Sequence, residues 1–227
     1  MDSYLIMQST YTDVEIGLAR HGNLIEKKVI SKLQASSHID VAVDELLSQH
    51  KIDKKKLLFI AANCGPGPFT TLRVVLATAN GLGYGLTKPL IGLDGMQTFL
   101  EEHRSKQYPV TVALLNAFSN DVYFGIDDHG QNKVGWENAH NFLKQIQEKY
   151  PAQSIRFIGS GIIPYQQLIQ DLFGLQTVIN SQLGQCSLDY CAQQAWKIWE
   201  KKDMHKQLMP LYLKNQLNNM PQAITTH

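Results

Sequence analysis

The sequence is short of most features that announce a chemistry. Its 227 residues hold only three cysteines, Cys64, Cys186 and Cys191, an odd and sparse set without ligand spacing. That argues against a disulfide framework or a structural zinc, and for a reducing, cytoplasmic setting. Charge of one sign is missing too. Twenty-one basic residues against twenty acidic ones leave a net charge of +1, too little for a global field that would attract nucleic acid or membrane. No apolar run approaches the ~20 residues needed to span a bilayer, so no membrane partner is expected. The opening Met1-Asp2-Ser3-Tyr4-Leu5 has neither the basic region nor the apolar core of a secretion signal.

What is present is a core-forming chain organised around one stretch. The residues are 44% hydrophobic, enough for one large domain or two small lobes. The apolar run Leu57–Ala62 reads as a buried strand and Val74–Leu86 as a helix, and Asn63-Cys64-Gly65-Pro66-Gly67-Pro68-Phe69-Thr70-Thr71-Leu72-Arg73 joins them. Two glycines and two prolines force a tight turn, and Thr70 or Thr71 is placed to cap the helix. Such a junction can cradle an anion. It lacks the Gly-Lys-Ser/Thr ending of a phosphate loop, however, and Pro66 and Pro68 have no N–H to donate. The residues therefore favour a structural turn, built by Gly65, Pro66, Gly67, Phe69 and Thr70.

Before this junction the pattern predicts an antiparallel meander of strands over Tyr4–Met7, Val14–Arg20 and Leu24–Val29. A helix follows, capped by Ser36 or Ser37, with Ile39, Ala42, Val43, Leu46 and Leu47 on one face. The basic run Lys51–Lys56 reads as a solvated turn. Gly81, Gly83 and Gly85 cost the second helix on the order of 1 kcal/mol each relative to alanine, and close approach of another backbone is the simplest reason for them. Leu90–Leu93 is a short strand, after which Asp94 caps a helix and Gln97 is placed to complete a capping box. The second half repeats the theme. Strands are expected over Val110–Leu115, Val122–Ile126, Ile155–Ile158 and Thr177–Ile179, and helices over Phe142–Tyr150, Tyr165–Leu172 and Ser187–Trp199. After Met209-Pro210 the tail is polar and expected to be extended. The fold class is thus α/β, two mixed sheets flanked by helices, divided at residues 1–107 and 108–227.

The stretch GPGPFTTLRVVLATANGLGYGLTKPLIGLDGMQTF resembles the signature of the TsaB (YeaZ) family, usually close to GPGSFTGLRIGLATAKGLA. Gly159-Ser160-Gly161 and Pro210-Leu211-Tyr212-Leu213 support it. The resemblance implies two ribonuclease-H-like lobes of the actin-like ATPase (ASKHA) type. It also implies a non-catalytic subunit in the synthesis of threonylcarbamoyladenosine in tRNA. The implied partners are a TsaD-like catalytic subunit, a TsaE-like ATPase, a second copy of the chain as a homodimer, and tRNA through the complex. No cofactor is expected on this chain alone, with ATP or ADP and a metal held by the complex. The chain departs from the family where the first strand usually ends Ile-Asp-Thr-Ser, because it reads Met7-Gln8-Ser9-Thr10. Pro68, Thr71, Val75 and Asn116-Ala117-Phe118-Ser119 also differ from the usual pattern.

The candidate chemistry is sparse. Hydrolysis needs an acid near the first hairpin to hold a cation and orient water, and Gln8-Ser9-Thr10 supplies none. Asp13 reads as a turn residue. His38 stands alone, because the position four residues on, where a second ligand would face the same way, is Ala42. Cys64 lies before a helix start, where a thiol pKa can fall, but reads better as a small buried residue, and Cys186 and Cys191 read as packing residues. Asp127-Asp128-His129-Gly130 reads as a hairpin turn. Lys197, Lys201, Lys202, Lys206 and Lys214, interleaved with Trp196, Trp199 and Tyr212, could brush phosphates but read as a solvated face. The remaining functional expectation is a helical interface with a related subunit, formed by Ile39, Val43, Leu46, Leu47, Arg73, Val75, Leu76 and Ala79. The alternative is an independent nucleotide hydrolase, phosphotransferase or glycoprotease-like peptidase, with Asp13 or Asp94 brought in by folding.

Overall fold

In the computed structural model, residues 2–151, 153–174 and 177–214 are described. The tail beyond Lys214, expected to be extended, lies outside them. The first meander forms as β1 (Ser3–Ser9), β2 (Asp13–Arg20) and β3 (Asn23–Ser31). β1 and β2 pair antiparallel with Leu5 opposite Leu18, and β2 and β3 pair antiparallel with a register shift at Leu18/Ala19. Helix α1 (Ala35–Gln49) leads to β4 (Ile60–Asn63), parallel to β1. Helix α2 (Phe69–Leu86) leads to β5 (Leu90–Leu93), parallel to β4. The sheet order is β3-β2-β1-β4-β5. Helix α3 (Gly95–Glu102) follows.

The second sheet repeats this order. β6 (Val110–Asn116), β7 (Asp121–Asp128) and β8 (Gln131–Asn138) form its meander, and α4 (Ala139–Lys149) leads to β9 (Ile155–Ile158). A 3-10 turn over Ser160–Tyr165 and α5 (Gln166–Phe173) lead to β10 (Val178–Asn180), and α6 (Leu188–Glu200) closes the run. The order β10-β9-β6-β7-β8 is the first sheet's order strand for strand. The same antiparallel and parallel pairings recur. This is the architecture expected of two ribonuclease-H-like lobes.

Three buried clusters hold these layers together. The first lies between one face of the first sheet and helices α1 and α2, where Leu5, Met7, Ile16 and Leu18 meet Ile39, Val43, Leu46, Leu47, Val75, Leu76 and Ala79. Each such aliphatic side chain contributes roughly 1.5–3 kcal/mol by leaving water. The second joins the sheets, bringing Tyr4, Ile6, Phe59 and Ile91 together with α3, with Ala113, Leu115 and Ile158 of the second sheet, and with α6. The third lies under α4 and α5. Helix α6 follows the second sheet in sequence, yet Tyr4 Oη donates to its Ala192 carbonyl at 2.8 Å, and Trp196 and Trp199 stack on Tyr4 and Phe59. Those indole rings are committed to packing rather than interleaved among the lysines.

Several local expectations are corrected. α1 begins after Gln34 and no side chain caps it; Ser37 Oγ instead bonds the Gln34 carbonyl. α2 begins after Pro68, and neither Thr70 nor Thr71 caps it. Asp94 does cap α3, accepting the N–H groups of Met96 and Gln97 at 3.0 Å each. Strand β8 was not expected, because its sequence is polar and does not alternate. It forms as the outer partner of β7, and Gly135 leaves room for the Phe124 ring, which would stand 2.6 Å from an added Cβ.

Candidate functional site

The Gly-Pro junction is a knot of backbone contacts. Asn63 Oδ1 accepts the Gly65 N–H at 2.9 Å, and the Gly65 carbonyl accepts the Gly95 N–H at 2.7 Å. Gly65 has φ +107°, and a Cβ there would sit 3.0 Å from Leu72; this backbone conformation favours glycine. Ser9 Oγ donates to Thr71 Oγ1 at 2.6 Å, so the end of β1 is tied to the first turn of α2. The C-terminal segment closes over the junction through Leu211 N–H to the Cys64 carbonyl at 2.8 Å. Arg73 Nε donates to Tyr212 Oη at 2.7 Å, and its guanidinium lies 3.7 Å from the centre of the exposed Phe69 ring. A cation held over an aromatic face is a favourable surface pair, and sequence reading did not bring Tyr212 to this helix.

Of the residues expected at a subunit interface, Arg73 alone is exposed. Ile39, Val43, Leu46, Leu47, Val75, Leu76 and Ala79 are all buried against their own sheet. The physical reason is simple. A helix stripe apolar enough to attract a partner is the stripe that first covers the sheet of its own chain. The outward face of α2 carries Phe69, Arg73, Ala77, Gly81, Tyr84 and Gly85, all exposed, with Tyr84 at 91%. The glycines also divide. Gly83 makes room for Leu90, a side chain rather than a backbone, whereas nothing lies within 4 Å of a Cβ added at Gly81 or Gly85. The spacing Arg73, Ala77, Gly81, Gly85, four residues apart, is the signal that identifies this face. α1 continues the surface with exposed Asp40, Val41, Asp44 and Glu45.

The position where the family carries its first acid holds Gln8, 1% exposed at the end of β1. Its amide donates to Glu15 Oε2 at 2.6 Å and to the Cys186 carbonyl at 3.3 Å, and its Oε1 accepts from Asn63 Nδ2 at 3.3 Å. Glu15, on β2, is the acid that folding brings here. Its other oxygen accepts Lys27 Nζ at 2.8 Å, so each carboxylate oxygen accepts one hydrogen bond. Asp13 opens β2, and Thr12 Oγ1 donates to its carboxylate at 2.7 Å. Asp94 is spent on its helix cap, with burial raising its pKa.

The remaining candidates separate. His38 is exposed and bonded to Ser37 Oγ at 2.8 Å. Among the described residues no group of three or more His, Cys, Asp or Glu is placed to hold a metal ion. Cys64 is buried, and burial pushes its thiol up to about 11, against the lowered pKa that a helix start would suggest. The Asp127–Gly130 stretch is indeed a hairpin connection, in which Asp127 accepts the Gly130 N–H at 2.8 Å and Arg104 Nε at 2.9 Å. In the Asn116–Asp121 loop, Phe118, Ser119 and Asn120 all have positive φ, 62°, 54° and 64°. Asn116 Oδ1 accepts the Phe118 N–H and the Asn116 carbonyl accepts Tyr11 Oη, holding that loop against the first hairpin.

The family model described as "TsaD: tRNA N6-adenosine threonylcarbamoyltransferase" matches residues 29–166, more than half of the chain. The chain belongs to this family. Within it, the chain is 31% identical over 124 residues to the tRNA threonylcarbamoyladenosine biosynthesis protein TsaB of Buchnera aphidicola, covering 52% of this chain and 55% of that protein. It is 31% identical over 106 residues to the TsaB of Haemophilus influenzae, covering 44% of each. The chain thus spans about half the length of the curated relatives it matches. The solved structure of YeaZ from Pseudomonas aeruginosa superposes with a TM-score of 0.70 at 18% identity, covering 94% of this chain and all of that one. It has the same two-lobed fold. No described helix is long and apolar enough to cross a membrane.

Proposed function

We propose that this member of the TsaD family is a TsaB-like, non-catalytic subunit in the synthesis of threonylcarbamoyladenosine in tRNA, and that it acts by pairing with a TsaD-like catalytic subunit. The observation that carries the reading is the closed network around Gln8. A cation and an attacking water need a carboxylate that is not already neutralised by another cation. Here the acid position presents a neutral amide, and the nearby Glu15 is paired with the Lys27 ammonium and bonded to Gln8. The residues present do not fit a catalytic cation, so no hydrolytic step is assigned to this chain. ATP or ADP and any metal belong, in this reading, to the assembled complex.

The pairing surface is the outward face of α2 with the adjoining face of α1. Bare glycines at 81 and 85 let a second helix approach closely, and Phe69, Arg73 and Tyr84 supply the exposed aromatic and guanidinium groups that interfaces favour. This revises the interface residue by residue: Arg73 stays, and Ala77, Gly81, Tyr84 and Gly85 replace the buried set. In this reading the lobe of residues 1–107 carries the contact and the lobe of residues 108–227 buttresses it. A TsaE-like ATPase and tRNA are reached through the complex, in the cytoplasm. A second copy of the chain can compete for the same face.

The test is reconstitution of tRNA modification from a TsaD-like and a TsaE-like protein with and without this chain. Omission is expected to lower the modification rate by about tenfold or more, equivalent to about 1.4 kcal/mol of stabilisation, and the chain is expected to co-purify with the TsaD-like protein. Full activity without it would overturn the proposal. ATP turnover by the isolated chain, abolished by Glu15→Ala, Asp13→Ala or Asp94→Ala, would favour the independent hydrolase instead.

A further inference from the structure

The start of α6 carries an unusual pair. Ser187 is its N-cap, accepting the Tyr190 N–H at 3.1 Å. Cys186 immediately precedes the cap and Cys191 is the fourth helical residue. In that relation two apolar side chains commonly pack together and fix the entry of the chain into a helix. Here the two side chains are thiols. Their sulfurs lie 3.3 Å apart, with Cys186 1% and Cys191 0% exposed. Sequence reading took both as separate packing residues; the cap position explains why they touch.

We propose that Cys186 and Cys191 form a modification site, a thiol pair that a hydroperoxide oxidises to an intramolecular disulfide, turning the packing contact at the head of α6 into a covalent staple. The sulfurs must close by little more than an ångström to reach the ~2.05 Å of a disulfide. The surrounding network tolerates the change. Gln8 Oε1 loses the weak S–H donors of Cys186 and Cys191, at 3.9 and 3.7 Å, but keeps the Asn63 amide at 3.3 Å. Asn63 Nδ2 also keeps its contact with the Cys186 sulfur at 3.4 Å. No buried donor is orphaned. Cys64, by contrast, donates to the Ala62 carbonyl at 3.7 Å.

The chemistry balances. One thiolate attacks the peroxide and the O–O bond breaks; the departing hydroxide takes a proton and leaves as water, with the sulfur now a sulfenic acid. The second thiol attacks that sulfur, the S–O bond breaks, and a second water leaves as the S–S bond forms. The two sulfurs together lose two electrons and the hydroperoxide gains them. The Cys186 thiol, and then burial, hold the Cys191 thiol well above its usual range, which keeps the thiolate fraction low and the oxidation slow.

The consequence is local and reversible. Ser187 N–H donates to Glu102 Oε2 at 2.8 Å, joining α6 to α3, and α6 packs on the first sheet. The staple pins this seam, and a reductant releases it.

The test treats the native full-length chain with hydrogen peroxide, alkylates it under denaturing conditions and maps the thiols. Residues 157–197 contain both cysteines with no lysine or arginine before Lys197, so one tryptic peptide reports the pair and another reports Cys64. The expected result is a 157–197 peptide lighter by about two hydrogens and closed to alkylation, Cys64 still alkylated, and no covalent dimer. The unfolding midpoint is expected to rise by a few degrees, and dithiothreitol should restore the starting state. Cys64→Ser should oxidise as the parent does, whereas Cys191→Ser should not. Retention of both thiols while glutathione in the same tube is converted would overturn the proposal, as would disulfides that form only between chains or only in urea. A disulfide that formed without raising the midpoint would remove the stapling role.

Discussion

The two halves share a strand order and use their glycines in opposite ways. In the second half, Gly159 has φ +109° and an added Cβ would stand 2.2 Å from the Leu114 carbonyl oxygen, while one at Gly161 would stand 2.7 Å from the Leu115 carbonyl carbon. These residues let the chain turn back against β6. In the first half, Gly81 and Gly85 face open space from the C-terminal half of an 18-residue helix, where glycine weakens the helix and no neighbour in the chain needs the room. One architecture therefore carries one glycine set that the fold requires and another that it does not. The proposed pairing surface gives the second set a use.

The sharpest way to break this contrast is Gly159→Ala. It should cost about 3 kcal/mol or more, since neither backbone nor left-handed φ can yield, and lower the thermal midpoint by on the order of 6–12 °C. A cost below about 1 kcal/mol would mean the close approach is not required.

The Gln8 network tests the first half from within. Gln8→Glu places a buried carboxylate against the partly buried Glu15 and should cost about 2–4 kcal/mol at neutral pH. Like charge and burial raise the folded pKa of the new group above its unfolded value. The penalty is therefore present above that raised pKa and fades as pH falls toward the unfolded ~4.3. Urea titrations at pH 7 and near pH 4.5 should show the variant and parent converging at the lower pH.

Gly81→Leu should leave stability within about 1 kcal/mol of the parent, or raise it, while weakening co-purification with the TsaD-like subunit by about tenfold or more. Gly83→Leu on the same helix should instead destabilise, because Leu90 fills that space. Equal stability losses at both positions would erase the distinction between inner and outer glycines.

The smallest effect is expected at Asp94. Burial raises its folded pKa above the ordinary 3.8, so the native state binds this proton more tightly than the unfolded chain. Stability on this account falls as pH rises from about 3.8 through the raised value. Asp94→Asn keeps an oxygen for the cap, should remove that slope, and should leave stability at neutral pH equal to or slightly above the parent's. Stability curves against pH for the two proteins would show it.

Much of the fold was legible. The apolar runs at Tyr4–Met7, Leu90–Leu93 and Ile155–Ile158 became strands, and the stripe from Ile39 to Leu47 became the buried face of α1. Strand β8 was not legible, because its polar residues are strand only by pairing with β7 at the sheet edge. The caps of α1 and α2 were misread for a related reason. Ser37 and Thr71 found other partners, the Gln34 carbonyl for the first and Ser9 Oγ for the second. Seven of the eight residues expected at an interface are buried in the chain itself, because amphipathicity shows which face a helix hides without showing what hides it.

The sequence alone determined the local facts: where strands and helices run, the bend at Gly65–Pro68, the missing acid at Gln8, and a signature specific enough to name a family. These depend on side-chain identity and short-range periodicity, which residue order carries directly. Only the tertiary structure decided that Glu15 closes on Gln8, that α6 returns to the first sheet, that Tyr212 meets Arg73, and that two of three helix glycines look outward. The first rests on the register of the β1–β2 hairpin; the others join residues distant in sequence or sort the faces of one helix, and burial, not residue order, makes that choice.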